Sequence, residues 1–230
     1  MTMDRGGYGK SGRDRDSGRS GSRQHPYSRN AQRSADEDIA MMDADGLDTP
    51  KNSIKVSGQT DVNRLAQQIC STCRSDEPPA LLTIGNNSIN QAVKGIAVAR
   101  VELKNDGLDL SFQPAFRHVN RTKPLIAFYL SVSNAGRPSN HIQDELTVAG
   151  HSKITNIAGA IAGRVREDKH VVMTAIGVDA VTNAVLAAGN ARVFLEKDSM
   201  DIKVQPEFTK LDKNGQEINA LRFAILSEVI

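Results

Sequence analysis

Residues 99–116, ARVELKNDGLDLSFQPAF, and residues 191–208, ARVFLEKDSMDIKVQPEF, are one text written twice, 92 positions apart. Ala99-Arg100-Val101 falls on Ala191-Arg192-Val193, Asp109 on Asp201, and Gln113-Pro114-x-Phe116 on Gln205-Pro206-x-Phe208. Upstream the register continues without a gap to residues 54 and 146. Val56 meets Val148, Gly58 meets Gly150, Ala66 meets Ala158, and Ile84-Gly85 meets Ile176-Gly177. A gapless match of this length marks two copies of one unit of roughly 80 residues, each long enough for a core of its own. The copies are read as 53–132 and 146–230. Residues 133–145 join them, with the loop composition of Gly136, Pro138 and Asn140.

Reading the copies together sharpens each element. Ile54-Lys55-Val56 and Leu146-Thr147-Val148 alternate apolar and polar residues, as half-buried strands do. Leu65, Ala66, Ile69 and Cys73, like Ile157, Ala158, Ile161 and Val165, recur at helical spacing. The apolar runs Ala80–Ile84 and Val171–Ile176 suit interior strands. A second helix follows, with Asn87 or Ser88 as its cap and Ile89, Val93, Ile96 and Leu103 on its inner side. Leu108–Phe112 and Met200–Val204 alternate as third strands, and Leu125–Val132 and Ala220–Leu226 close the units. The order is β-α-β-α-β-β twice: a two-layer α/β (α+β) protein, with two helices per copy packed on a four-stranded mixed sheet.

The run Ser88-Ile89-Asn90-Gln91-Ala92-Val93-Lys94-Gly95-Ile96-Ala97-Val98-Ala99-Arg100 resembles the second-helix signature of the stage V sporulation protein S family. Phe112-Gln113-Pro114-Ala115-Phe116 is similar to that family's third strand, and Asn156–Gly163 to its first helix. The resemblance implies an Alba-like fold in both copies. Alba-like domains bind nucleic acid and commonly pair, so it also implies RNA or DNA as partner. Two copies on a short linker have a high effective concentration for each other, so an internal pseudo-dimer or a homo-oligomer is expected. Each copy departs from the pattern once. Gln67-Gln68 stand where the first helix is small and apolar, and Leu186 stands where copy one has Lys94.

Charge divides the chain. Residues 1–33 hold seven Arg and Lys10 against three Asp, a net of +5; residues 34–50 hold six acids and no base, a net of −6. The first block is Gly, Ser and Arg with little to bury, so residues 1–52 read as a disordered polyampholyte tail. Copy one, 51–132, has ten Lys and Arg against six acids, a net of +4; residues 133–230 have eleven against twelve, a net of −1. Aromatics are 4% with no Trp, so the core rests on Val, Ile, Leu and Ala. No run of apolar residues is long enough for a membrane span, and the first thirty residues contain none of the kind a secretory signal needs. Two cysteines make no disulfide scaffold, so an intracellular place, cytoplasmic or nuclear, is expected.

Catalysis finds little footing. His25, His118, His141, His151 and His170 stand in no nucleophile or metal motif, and Cys70 and Cys73 lack a second pair, so buried helix thiols suit them better than zinc. Gly159-x-x-x-Gly163 has no Lys-Ser/Thr after it and reads as close helix packing. Neither enzyme activity, nor a metal, nor a cofactor is expected.

Nucleic-acid contacts have better candidates. The copy-one hairpin holds Arg117, His118, Arg121 and Lys123 within seven residues. Arginines there suit phosphate, though the same charges also keep an edge hairpin from aggregating. The resemblance points the same way, since Alba-like proteins use this hairpin as an arm along the groove. The copy-two hairpin is longer, and acids offset its Lys210 and Lys213. Lys94 and the helix start at Asn86, Asn87 and Ser88 are secondary candidates, because Gly85 there ends a strand just before a positive helix end. In the tail, Arg5-Gly6-Gly7-Tyr8-Gly9 is like flexible segments that stack on single strands, and equally like a solubilising tail. A non-catalytic nucleic-acid binder is the reading the residues favour. A scaffold pairing with proteins through the same domains is the alternative.

Overall fold

The computed structural model describes residues 50–75, 77–118, 124–136, 143–213 and 215–230. The tail read as disordered lies almost wholly outside them. Copy one runs β1 (Ser53–Val56), α1 (Val62–Ser75), β2 (Ala80–Ile84), α2 (Asn86–Lys104), β3 (Leu108–His118) and β4 (Leu125–Asn134). Copy two repeats it as β5 (Gln143–Val148), α3 (Ile154–Arg166), β6 (His170–Ala175), α4 (Val178–Leu195), β7 (Met200–Lys213) and β8 (Gln216–Val229). Both copies have the β-α-β-α-β-β order read from the sequence. In each, a parallel pair (β1-β2, β5-β6) is followed by antiparallel neighbours, which makes the sheet mixed.

The two half-sheets form one sheet of eight strands in the order β1-β2-β4-β3-β7-β8-β6-β5. The helices pack over one face. Leu65, Ala66 and Ile69 of α1 and Ala158, Ile161 and Ala162 of α3 are buried at the spacing that predicted those helices. α2 and α4 are different: Ala92, Val93, Ile96, Ala97 and Ala99, and Ala184, Val185, Ala187, Ala188 and Ala191, are buried around more than one face. A helix apolar on several sides is enclosed on several sides. Each is covered by its own sheet, by its companion helix and by the other copy. Small side chains let the two central helices sit close.

Neither Asn87 nor Ser88 caps α2. The helix starts earlier, at Asn86, from Gly85 at φ 81°, with no side chain bonded at the cap. β2 turns straight into the helix, and only the left-handed glycine makes so tight a corner; Gly85 N–H is held by Pro124 O at 2.9 Å. Gly177 repeats the corner at φ 87°.

Candidate functional site

The copies meet where Phe112 of β3 pairs with Val204 of β7. These residues are 92 apart, so each is the other's counterpart in the repeat, and an approximate twofold axis passes between them. Two residues beyond this pair stand Pro114 and Pro206. Proline has no N–H, so the ladder cannot continue through it and its carbonyl needs another donor. An arginine from the opposite copy supplies one. Arg192 Nη1 donates to Pro114 O at 2.9 Å, and Arg100 Nη1 to Pro206 O at 3.3 Å.

Each arginine is fixed by an aspartate of its own copy. Arg100 donates from Nε and Nη2 to Asp109 at 2.6 and 3.1 Å, and from Nη2 to Gln205 Oε1 at 2.9 Å. Arg192 donates from Nε and Nη2 to Asp201 at 2.7 and 2.8 Å. Gln113 crosses the seam to Asp201 and Glu228, both at 2.9 Å. Two-pronged guanidinium–carboxylate pairs fix orientation as well as charge. Burial alone would push the Asp201 carboxyl up. The hydrogen bonds from Arg192 and the Ile202 N–H outweigh it and hold the group below its ordinary value of 3.8. The residues that revealed the repeat are therefore the residues that join its halves. Sequence reading located them but assigned them no task; their signal was Arg, Asp and Gln-Pro recurring in one register.

The starts of the central helices also touch. Asn86 Nδ2 donates to Asp179 Oδ1 at 2.9 Å, across the copies, so this candidate is engaged in assembly. Ser88 is buried and its hydroxyl bonds the carbonyls of Ile84 and Gly85 at 2.7 and 2.9 Å. That removes it as a surface contact. Asn87 is exposed beside Gly58, where a Cβ would lie 2.8 Å from the Asn87 Cβ. Lys94 is half-buried on α2 and lines a cleft between the copies.

The hairpins differ. In copy two β7 and β8 pair from Met200↔Val229 to Lys213↔Gln216. Gly215 lies in the turn at φ 78°, its N–H bonded to Asp212 Oδ1 at 2.8 Å. Lys210 is paired with Glu217 at 2.7 Å; the Lys213 side chain lies outside the described residues. In copy one the β3–β4 register shifts between Phe116 and His118, a bulge at the end of the ladder. Arg117 is half-buried there and His118 ends β3. Arg121, Lys123, Arg5 and Tyr8 lie outside the described residues.

Burial pushes the Cys70 and Cys73 thiols up to about 11, away from the thiolate that nucleophilic or metal chemistry uses. Among the described residues no three His, Cys, Asp or Glu gather as a metal cage, and no helix is long and apolar enough to cross a membrane.

The model of the family described as Stage V sporulation protein S (SpoVS) matches residues 52–126 and, again, residues 144–228. The two matches fall on the two copies and cover more than half of the chain, and so the chain belongs to the Stage V sporulation protein S (SpoVS) family.

Proposed function

We propose that this protein binds RNA or DNA without catalysing a reaction, and that copy one carries most of the contact. The supporting observation is how each copy uses its cations. In copy two the bases are largely spent within the fold: Lys203 on Glu228, Lys210 on Glu217, Arg222 on Glu207, Arg164 on Asp144 and Arg166 on Asp198. In copy one Arg74 and Arg100 take Glu102, Asp106 and Asp109. By count, residues 51–132 hold ten Lys and Arg against six acids, a net of +4, whereas residues 133–230 hold eleven against twelve, a net of −1. A local excess of positive charge attracts a phosphate backbone and releases its counterions. Arg117, Arg121 and Lys123 concentrate it at one hairpin, and the Arg-rich tail adds to it.

The test is retention of the full chain on mixed-sequence oligonucleotides as salt is raised. Tight binding at low salt that falls steeply with salt is expected. No retention even at low salt would favour a scaffold that pairs with proteins instead.

A further inference from the structure

Asn90 is a buried polar residue, 7% exposed, on α2. Among the described residues its side-chain amide makes no hydrogen bond. A buried amide left unpaired costs free energy, so its place calls for an explanation. Asn90 lines a cavity of about 230 Å³ between α2, the start of α4 and the base of the β7–β8 hairpin. The other walls are chemically specific. Lys94, one helical turn along, makes no ion pair among the described residues. Phe208 offers a ring that is 49% exposed, and Asn219 adds a second amide. Gly177 and Val178 bring the first turn of the 18-residue α4, whose earliest N–H groups have no partner within the helix. Asp179 of that turn is tied to Asn86 and does not line the cavity.

The repeat supplies a control. Ninety-two residues on, Asn90 becomes Thr182 and Lys94 becomes Leu186. Thr182 is buried, and its hydroxyl reaches Asn86 O at 3.5 Å. The Phe208 counterpart, Phe116, lies against Gly189, where a Cβ would meet its ring at 2.9 Å. At the counterpart positions the buried hydroxyl of Thr182 is satisfied and Leu186 carries no charge; at the proposed site an unpaired amide and a cation face the cavity.

We propose that this second cleft holds one unpaired nucleobase of a single strand. The base stacks on Phe208 and is hydrogen-bonded by Asn90, and its phosphate lies at Lys94 and the α4 start. The volume is below the roughly 300–1,000 Å³ of drug-sized sites, which limits the occupant to about one heterocycle. An aromatic face, an amide for the base edge and a cation for the backbone are what single-strand recognition uses. The proposal rests on the nucleic-acid reading above and places a base contact within it.

The experiment gives the cleft the residues of its counterpart, Asn90→Thr with Lys94→Leu, and separately makes Phe208→Ala in the full chain. Binding is measured to a mixed single strand and to an abasic strand with the same number of phosphates. Wild type should bind the base-bearing strand about tenfold or more tightly than the abasic one. Both variants should lose that preference while unfolding at the wild-type temperature. Phe208→Ala should leave abasic binding unchanged, since it removes no charge. Wild type binding both strands equally would overturn the base site and leave the nucleic-acid reading standing. That result is also the one expected if a peptide group were the true occupant. A wild type that binds neither strand would sink both.

Discussion

At the seam the two copies are nearly interchangeable; at the cleft and hairpin they are not. Arg100 and Arg192 each hold an aspartate of their own copy and a proline carbonyl of the other. The arrangement requires the same residues on both sides, because the contact is self-complementary about a twofold axis. Away from the axis nothing imposes that symmetry. Lys94 stands opposite Leu186 in the repeat and Asn90 opposite Thr182, and the two hairpins differ in length and charge. Even the outer face of the sheet diverges. Leu82 and Ile84 make a small buried cluster with Leu125 and Ala127, whereas Thr174, the counterpart of Leu82, bonds Glu145 at 2.6 Å. Repetition here identifies what holds the molecule together, and divergence identifies where a copy is specialised.

The comparison breaks most visibly at the arginines. Their side chains are 7% exposed for Arg100 and 25% for Arg192, so the seam is not perfectly symmetric in burial. Arg100→Ala leaves the Asp109 carboxylate with only the Leu110 N–H and takes away the guanidinium that serves Gln205 Oε1 and Pro206 O. It should cost about 3–5 kcal/mol in denaturant unfolding, the range for removing one partner of a buried ion pair. Arg192→Ala, with water nearer, should cost less. Equal losses would mean that burial does not decide the cost at this seam.

A smaller effect separates two glycines, each facing an alanine in the other copy: Gly95 opposite Ala187, and Gly189 opposite Ala97. A Cβ on Gly95 would lie 2.6 Å from Leu65 Cδ2 and 2.9 Å from its Cγ, and Leu65 is fully enclosed. A Cβ on Gly189 would lie 2.9 Å from the edge of Phe116, a ring 39% exposed and free to swing outward. Gly95→Ala should therefore destabilise by about 1–2 kcal/mol, the overpacking strain being partly offset by better helix propensity. Gly189→Ala should stay within about 0.5 kcal/mol of wild type. Thermal unfolding of both variants decides it.

The smallest effect is acid sensitivity. The Asp201 carboxyl is held below 3.8, so its ionised form is favoured by folding. That contribution is fully present above the unfolded value and is lost as pH falls through the folded one. Asp201→Asn should lower stability at neutral pH and flatten its decline below about pH 4. An unchanged acid limb would remove Asp201 from the account.

Most of the fold was legible in the sequence, for a definite reason. A gapless repeat doubles every periodic signal, so Leu65 and Ile69 were supported by Ile157 and Ile161. The helix start was less legible, because Asn87 and Ser88 have capping side chains but the corner is made by backbone torsion at Gly85. The seam was least legible. Nothing in residue type assigned Arg100, Asp109 or Gln113 a task, and only pairing across the axis buries Arg100 and Asp109 and half-buries Gln113. For the candidate site, residue type could flag Lys94, but it could not show that Asn90 is buried without a partner or that Phe208 from the other copy completes the wall. It also could not show that Asn86 and Ser88 are engaged inside the fold.

The specialisation of copy one is tested most directly by the salt dependence of oligonucleotide binding in two full-length variants. One carries Arg117→Ala, Arg121→Ala and Lys123→Ala; the other carries Lys210→Ala and Lys213→Ala. The copy-one variant should bind every sequence more weakly, with the slope of log affinity against log salt reduced by about two to three, because phosphate contacts are lost. The copy-two variant, whose Lys210 is already paired with Glu217, should change the slope by less than about one. Equal losses in the two variants would contradict the claim that the copies have divided their labour.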